Sequence, residues 1–312
     1  MIKYIYNIIK SDNPNLIILK TLLLIAIIYL FIYLYKISAP PNQEKEGFTQ
    51  SEPFVFKQDK EIYDDFYAEV YEGINNREKI CQKELFEVIK MTEPTTRNSV
   101  FLDIGSGTGS TVNELNNAGY KAYGVDSSES MVEYAETKYP KLSITCADVK
   151  DPMLFEKSIF THLLCTDFTI YHFQDKNAFF KNCYYWLKGN GYLVLHLVDK
   201  NKFAMKKFED NISKMPEFKQ IREMETEANF EDYKYKAKCE FVKDSKQVLF
   251  KEYFVDKATS HIRENEQTYY MEEINDILDL AKRSGFILHG KVDMRDCNGD
   301  KNQYLYVLER TL

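Results

Sequence analysis

Residues 99–109 read Ser-Val-Phe-Leu-Asp-Ile-Gly-Ser-Gly-Thr-Gly, and this stretch decides the fold. SVFLDI (99–104) is a β-branched and aromatic run that stops at a glycine cluster, and an amphipathic stretch near 110–118 follows. A short apolar strand, a glycine turn and a helix form the opening of a βαβ unit. The chain has only 12 glycines, and Gly105, Gly107 and Gly109 fall within five positions. Glycine there permits a tight turn and lets a ligand approach the backbone beside a helix N-terminus.

The same rhythm continues downstream. YKAYGVD (120–126), KLSIT (141–145), FTHLLCT (160–166) and GYLVLHLV (191–198) read as further strands. Amphipathic segments near 128–138 and 175–188 separate them. Nearly continuous apolar strands alternating with helices predict a doubly wound α/β fold, its parallel sheet covered on both faces. Asp126 ends the second strand, 21 residues after Gly105, where an acidic side chain can accept both hydroxyls of a ribose. Asp148 follows the third strand, where a carboxylate can accept from an exocyclic amine. Strand ends on one edge of such a sheet share one crevice. Ser110 stands where a dinucleotide fingerprint needs its third glycine. Asp103, two residues before Gly105, would repel a pyrophosphate but suits a cationic amine, which favours an adenosyl ligand bearing an amino acid over NAD.

These residues carry a resemblance. VFLDIGSGTGS, GVDSSESMVEYAE, CADVKDP and LKGNGYLVLHLV occur in order and resemble the motifs of class I S-adenosylmethionine-dependent methyltransferases. The resemblance covers roughly residues 60–310 and implies a seven-stranded, mostly parallel sheet with S-adenosylmethionine as cofactor. It implies that Asp103, Gly105 and Gly107 meet the methionyl part, that Asp126 holds the ribose, and that Asp148 and Val149 meet the adenine with Met131 flanking it; Gly109 and Ser127 are further cofactor-binding candidates. Thr166 would lie near the sulfonium. The layout is most similar to small-molecule N-methyltransferases acting on amino sugars, through YAEVYEGI upstream, CTDFTIYHF after the fourth strand and a β insertion after the fifth. That likeness implies Tyr71 and His172 as acceptor-side residues, with His172 the candidate base. Tyr63 and Tyr67 are candidate caps over the cofactor, and His196 and His261 read as structural or lid residues. No Asn/Asp-Pro-Pro-aromatic motif follows the fourth strand and no Pro-Cys pair occurs, which disfavours methylation of nucleic-acid bases.

Flanking segments complete the organisation. Residues 1–15 form a tail, and 16–35 (LIILKTLLLIAIIYLFIYLY) carry a single charge, Lys20. Twenty such residues span a bilayer core of about 30 Å, so a transmembrane helix is expected. Lysines flank it on both sides, so charge does not orient it; the cofactor expectation puts the catalytic domain in the cytosol. Residues 36–57, with Pro40, Pro41, Gly47 and Pro53, read as a linker before a catalytic domain at 58–312. Within it, residues 203–260 break the rhythm. KYKAKCEFV and KQVLFKEYFV predict an antiparallel hairpin acting as a lid. MEEINDILDLAKRSGF (271–286) predicts a helix, and FILHGKVDM and NQYLYVLER two last strands.

Composition agrees with a folded enzyme and excludes other classes. The chain is 44% hydrophobic and 29% charged, with a net charge of -7. Residues 1–45 hold five lysines and two acids, leaving 36 basic against 46 acidic residues beyond them. A domain that acidic does not bind phosphate backbones or anionic lipid by general charge. The six cysteines make neither a C-x-x-C pair nor a Cys/His cluster with zinc spacing, so no metal is expected. The acceptor is expected to be a small molecule, N or O at the reacting atom, or a lipid-proximal one. A tethered cofactor-binding module without transfer activity and a nucleotide-dependent oxidoreductase stay open as alternatives.

Overall fold

The computed structural model describes residues 24, 25, 27–30, 52–203, 223–242 and 245–312. The chain divides into two units, residues 1–49 and 50–312. In the first, the described residues 24, 25 and 27–30 are helical. The rest of the span 16–35 and most of the linker lie outside the described residues. Among the described residues no helix is long and apolar enough to cross a membrane.

The second unit carries two sheets. In chain order its elements are β1 (Phe54–Gln58), a 3-10 turn (Asp59–Ile62), α1 (Asp65–Asn75), α2 (Arg77–Thr92), β2 (Val100–Ile104), α3 (Ser110–Asn117), β3 (Lys121–Asp126), α4 (Glu129–Lys138), β4 (Ile144–Cys146) and β5 (Phe160–Cys165). A second 3-10 turn (Thr169–His172) leads to α5 (Lys176–Trp186), β6 (Leu187–Val198), β7 (Glu223–Asn229), β8 (Tyr233–Phe241), β9 (Gln247–Asp256), β10 (Ile262–Tyr270), α6 (Ile274–Arg283), β11 (Phe286–Met294), α7 (Arg295–Asn298) and β12 (Asp300–Arg310).

The larger sheet has seven strands in the order β11-β12-β6-β5-β2-β3-β4. The five strands from β6 to β4 are parallel; β12 is antiparallel to β6, and β11, antiparallel to β12, runs in the direction of the five. This is the mostly parallel sheet expected from the strand rhythm. Phe101, Leu102, Leu163, Leu164, Leu193, Val194 and Leu195 are fully buried within it. On one face Leu85 and Val88 of α2 and Val112 and Leu115 of α3 pack against Phe101, Leu164, Val194 and Leu305. Burying such side chains contributes roughly 1.5–3 kcal/mol each. From β2 the chain lays β3 and β4 on one side and then returns to place β5 on the other. The switch point, and with it a crevice at the strand carboxyl ends, therefore falls between β2 and β5.

Side-chain caps set the helices that border this crevice. Asp64 Oδ1 accepts from Tyr67 N (3.2 Å) to start α1, and Ser128 Oγ accepts from Met131 N (3.1 Å) to start α4.

The smaller sheet has five strands in the order β1-β10-β9-β8-β7. The predicted hairpin is its β8–β9 pair, but the sheet extends past residue 260. β10 is antiparallel to β9, and β1 runs parallel to β10, pairing Phe54 with Ile262 and Gln58 with Glu266. Two expectations change here. Residues 54–57, read as the end of the linker, are strand, because their partner lies some two hundred residues away and no local pattern announces it. IRENEQTYY (262–270) shows no apolar alternation because its buried face carries Arg263, Asn265 and Gln267, each of which makes side-chain hydrogen bonds in place of apolar packing.

Candidate active site

A cavity of about 460 Å³ opens at the carboxyl ends of β2, β3, β4 and β5. The first 3-10 turn and α1 wall one side, and β9 and β10 roof it. Of the residues singled out in the sequence, Gly105, Gly107, Asp126, Ser127, Met131, Asp148, Val149, Tyr71 and His172 line this single space. Asp103 and Thr166 line a small adjoining cavity with Arg77 and the glycine loop. Gly109 lines neither; a Cβ there would meet Leu142 Cδ1 at 2.9 Å and Ala135 Cβ at 3.1 Å, so its absence lets the loop lie against α4.

The glycine loop is held by geometry and by charge. Gly105 has φ +71°, and a Cβ on it would lie 2.7 Å from Thr169 Cγ2, so only glycine lets the turn after β5 close over the loop. Gly107 leaves open space toward the cavity, with Tyr71 Cε1 3.8 Å from where its Cβ would be. Gly107 N donates to Asp126 Oδ2 and Ser128 N donates to Asp126 Oδ1, each at 2.9 Å. Burial raises the Asp126 pKa, and these backbone donors pull it back. Each carboxylate oxygen keeps a second lone pair for a ligand hydroxyl. At the far end Asp148 pairs with Lys60 of the first 3-10 turn at 3.0 Å across the cavity mouth. Its partial burial is outweighed by the Lys150 backbone donor and the Lys60 ammonium, which hold its pKa below the usual value.

The adjoining cavity is a charged pocket. Asp103 is only 3% exposed, and burial pushes its pKa up to about 7 against the pull of Arg77. Arg77, buried in the first turn of α2, donates to Glu84 Oε1 (3.3 Å) and Oε2 (2.9 Å) and to Thr166 Oγ1 (3.3 Å). Its Nε stands 3.7 Å from Asp167 Oδ2. A guanidinium and two carboxylates around a glycine loop suit a ligand bearing both an ammonium and a carboxylate.

Another wall of the cavity centres on residues just after β5. Tyr71 Oη donates to Asp167 Oδ2 at 2.5 Å, and burial followed by this carboxylate drives the phenol pKa well above its ordinary value. Asp167 and Phe168 both adopt left-handed backbone, at φ +48° and +65°. Consecutive non-glycine residues in that region are strained, and such strain concentrates at functional sites. His172 sits between Tyr63 and Tyr269, with ring centroids at 6.0 and 5.0 Å. Burial lowers its pKa to about 4 against the attraction of Asp167 and Asp59, so it is a neutral imidazole at physiological pH. Tyr63 and Tyr67 also line the cavity, whereas His196 is buried in β6 against Gln303 at 2.9 Å.

Several residues of the site escaped the sequence reading. Arg77, Asp167 and Lys60 have no motif spacing and meet the site only through tertiary packing. Glu72 is another: its Oε1 accepts from Ser110 Oγ at 2.6 Å and from Thr108 Oγ1, latching α1 to the glycine loop. Ser110, the departure from a dinucleotide fingerprint, is thus used for its hydroxyl. Among the described residues no group of three or more His, Cys, Asp or Glu side chains could hold a metal ion.

Residues 102–195 match a family described as a methyltransferase domain. No curated protein matches the chain. Among solved structures the chain is similar to the CcbJ methyltransferase from Streptomyces caelestis (14% identity, 81% of this chain and 100% of that one, TM-score 0.63). It is also similar to an S-adenosylmethionine-dependent methyltransferase from Clostridium acetobutylicum ATCC 824 (16% identity, 79% and 97%, TM-score 0.59). A third is CalS10 with S-adenosylmethionine bound, an amino pentose methyltransferase from Micromonospora echinaspora (14% identity, 74% and 90%, TM-score 0.53). At these identities the likeness establishes the fold. The domain match, joined to a donor set that suits an amino acid, a ribose diol and an adenine amine, supports a methyltransferase domain whose cofactor is S-adenosylmethionine.

Proposed function

We propose that the chain transfers a methyl group to a nitrogen or oxygen of a small polar acceptor held between Tyr71, His172 and the β9–β10 roof. One observation carries this reading: Gly105, Asp126, Met131 and Asp148 line one cavity with the Tyr71–Asp167 pair and His172. Bound there, S-adenosylmethionine supplies a methyl group already carried on a good leaving group. Asp103 and Arg77 would hold the amino-acid part, Asp126 the ribose and Asp148 the adenine.

What remains for the protein is alignment and exclusion of water. The strained Asp167–Phe168 backbone and the Tyr71–Asp167 bond fix the wall where the acceptor must sit. His172, neutral at pH 7, accepts a hydrogen bond from an acceptor N–H or O–H and turns a lone pair toward the methyl group. A group with a pKa of about 4 holds a proton poorly at neutral pH, so His172 orients the acceptor and the acceptor's proton passes to water. An amine is the acceptor favoured by this anionic, aromatic-lined wall, since rings and carboxylates both attract a cation before it is deprotonated. The amino pentose substrate class of CalS10 is consistent with that choice.

The test is calorimetric titration of the full chain with S-adenosylmethionine, S-adenosylhomocysteine and NADH, followed by radiolabelled methyl transfer to a panel of small amines and alcohols. Binding of the two sulfur ligands and not NADH, with label transferred to amines, is the expected result. Sulfur-ligand binding with no transfer to any small acceptor would return the chain to a cofactor-binding module. The reading extends to a membrane tether at residues 16–35 with the catalytic unit on the cytosolic side, supported by the length and apolarity of that stretch. Release of the full chain from membranes by alkaline carbonate would refute the tether.

A further inference from the structure

Lys176 opens α5, yet its side chain is only 1% exposed. A cation in the first turn of a helix opposes the helix dipole, and a lysine is seldom fully buried unless it is paired, so local stability does not account for one here. Its surroundings do. Nζ donates to Phe173 O and to Tyr270 O, each at 2.8 Å, and pairs with Glu272 Oε2 at 2.7 Å. The Tyr171 ring centroid lies 5.9 Å away. Two carbonyls and a carboxylate only accept, so a nitrogen facing all three carries three protons. Burial lowers the Lys176 pKa, and the Glu272 carboxylate pulls it back.

The two carbonyls belong to different sides of the cavity. Phe173 follows His172 at the end of the second 3-10 turn, on the wall beyond β5. Tyr270 follows Tyr269 and ends β10, in the roof. The preceding residues, His172 and Tyr269, meet edge to face with ring centroids 5.0 Å apart. Two oxygens bonded to one tetrahedral ammonium are held roughly 4–5 Å from each other. One atom thus ties wall to roof at the residue next to each partner of the His172–Tyr269 contact. Lys176 does not itself line the cavity, so it acts from behind the wall.

We propose that Lys176 is a positioning residue for methyl transfer, its ammonium bridging Phe173 O and Tyr270 O so that His172 is held against the roof strand with its imidazole toward the acceptor. Glu272 keeps the ammonium charged but touches neither carbonyl's role in the bridge. That His172 orients an acceptor rests on the methyltransferase reading; the bridge itself does not.

Lys176→Met alone would strand the Glu272 carboxylate, so the bridge is removed in the double variant Lys176→Met/Glu272→Leu, which exchanges a buried ion pair for apolar side chains at little cost in folding. Glu272→Gln is the counterpart: the ion pair goes, but Lys176 keeps both carbonyls. Full chains labelled at histidine are compared by NMR at pH 7, with the His172 signals assigned through His172→Gln. Methyl transfer from radiolabelled S-adenosylmethionine is timed with whichever small amine the wild-type chain methylates fastest. In the double variant the His172 resonances should lose the ring-current displacement that Tyr269 gives them. Its kcat should fall at least about tenfold with S-adenosylhomocysteine affinity unchanged, since a misplacement of about 1 Å can cost about a hundredfold. Glu272→Gln should keep the wild-type His172 resonances and a kcat within about threefold of wild type. A merely structural ion pair predicts that the two variants behave alike. Unmoved His172 resonances in the double variant, an equal loss of kcat in both variants, or a double variant that fails to fold overturns the positioning role. A wild-type chain that methylates no amine sinks the methyltransferase reading instead, and the resonances still decide whether Lys176 holds His172.

Discussion

Asp126→Ala is the perturbation whose magnitude follows most directly from the geometry. Each Asp126 oxygen accepts one backbone N–H at 2.9 Å, from Gly107 and from Ser128, and each retains a lone pair facing the cavity. A ribose diol can therefore bind without breaking either backbone bond. Two hydrogen bonds to a charged acceptor contribute roughly 1.5–3 kcal/mol each, so their loss costs about 3–6 kcal/mol of cofactor binding. That is roughly two to four decades in Kd. Folding should suffer far less. The two backbone donors are freed beside a cavity where water replaces the carboxylate, and burial already penalises the ionised Asp126. The melting temperature should fall by no more than about 2–4 °C per kcal/mol lost, with about 1 kcal/mol at stake. Calorimetry with S-adenosylhomocysteine gives the affinity, and differential scanning calorimetry checks the fold. A folded variant with Kd within about threefold of wild type would refute the ribose assignment.

Other outcomes follow from the charged pocket and the pKa values. Asp103 has a folded pKa of about 7, so near pH 6 it holds a proton that a ligand ammonium should expel. Binding of S-adenosylhomocysteine at pH 6 should release protons, measured as a dependence of the binding heat on buffer ionisation enthalpy, and Asp103→Asn should abolish the release. His172, depressed to about 4 by burial, contributes stability that is present above pH 6.5 and lost as pH falls toward 4. Urea midpoints for His172→Gln should lose about one proton's worth of slope across that window, and its turnover should fall with cofactor Kd unchanged. The Lys60–Asp148 pair is exposed, so Lys60→Ala should change cofactor affinity by less than about fivefold; a loss of a hundredfold would show that the first 3-10 turn is an obligatory clamp.

Legibility differed between the two sheets. The seven-stranded sheet was readable because each parallel strand is a local apolar run, punctuated by glycine or by an acid at its end. SVFLDI, FTHLLC and GYLVLHLV need no distant partner to be recognised as strands. The five-stranded sheet was half hidden. β8 and β9 alternate cleanly, but β10 buries arginine, asparagine and glutamine, and β1 is five residues that acquire meaning only beside β10. The site divides in the same way. Asp126 and Asp148 announce themselves by position after strands, whereas Arg77, Glu72 and Asp167 act through contacts at long sequence separation.

Local sequence by itself determined the chain's α/β class, the glycine loop and the acids at the ends of the strands, because strand rhythm and turn chemistry are properties of a few consecutive residues. Tertiary structure alone decided that Asp103 is buried and titrates near neutrality, that Tyr71 is bonded to Asp167, and that a roof strand buries Arg263, Asn265 and Gln267. Those features depend on desolvation and on partners drawn from distant segments, and both exist only once the two sheets have closed around the same space.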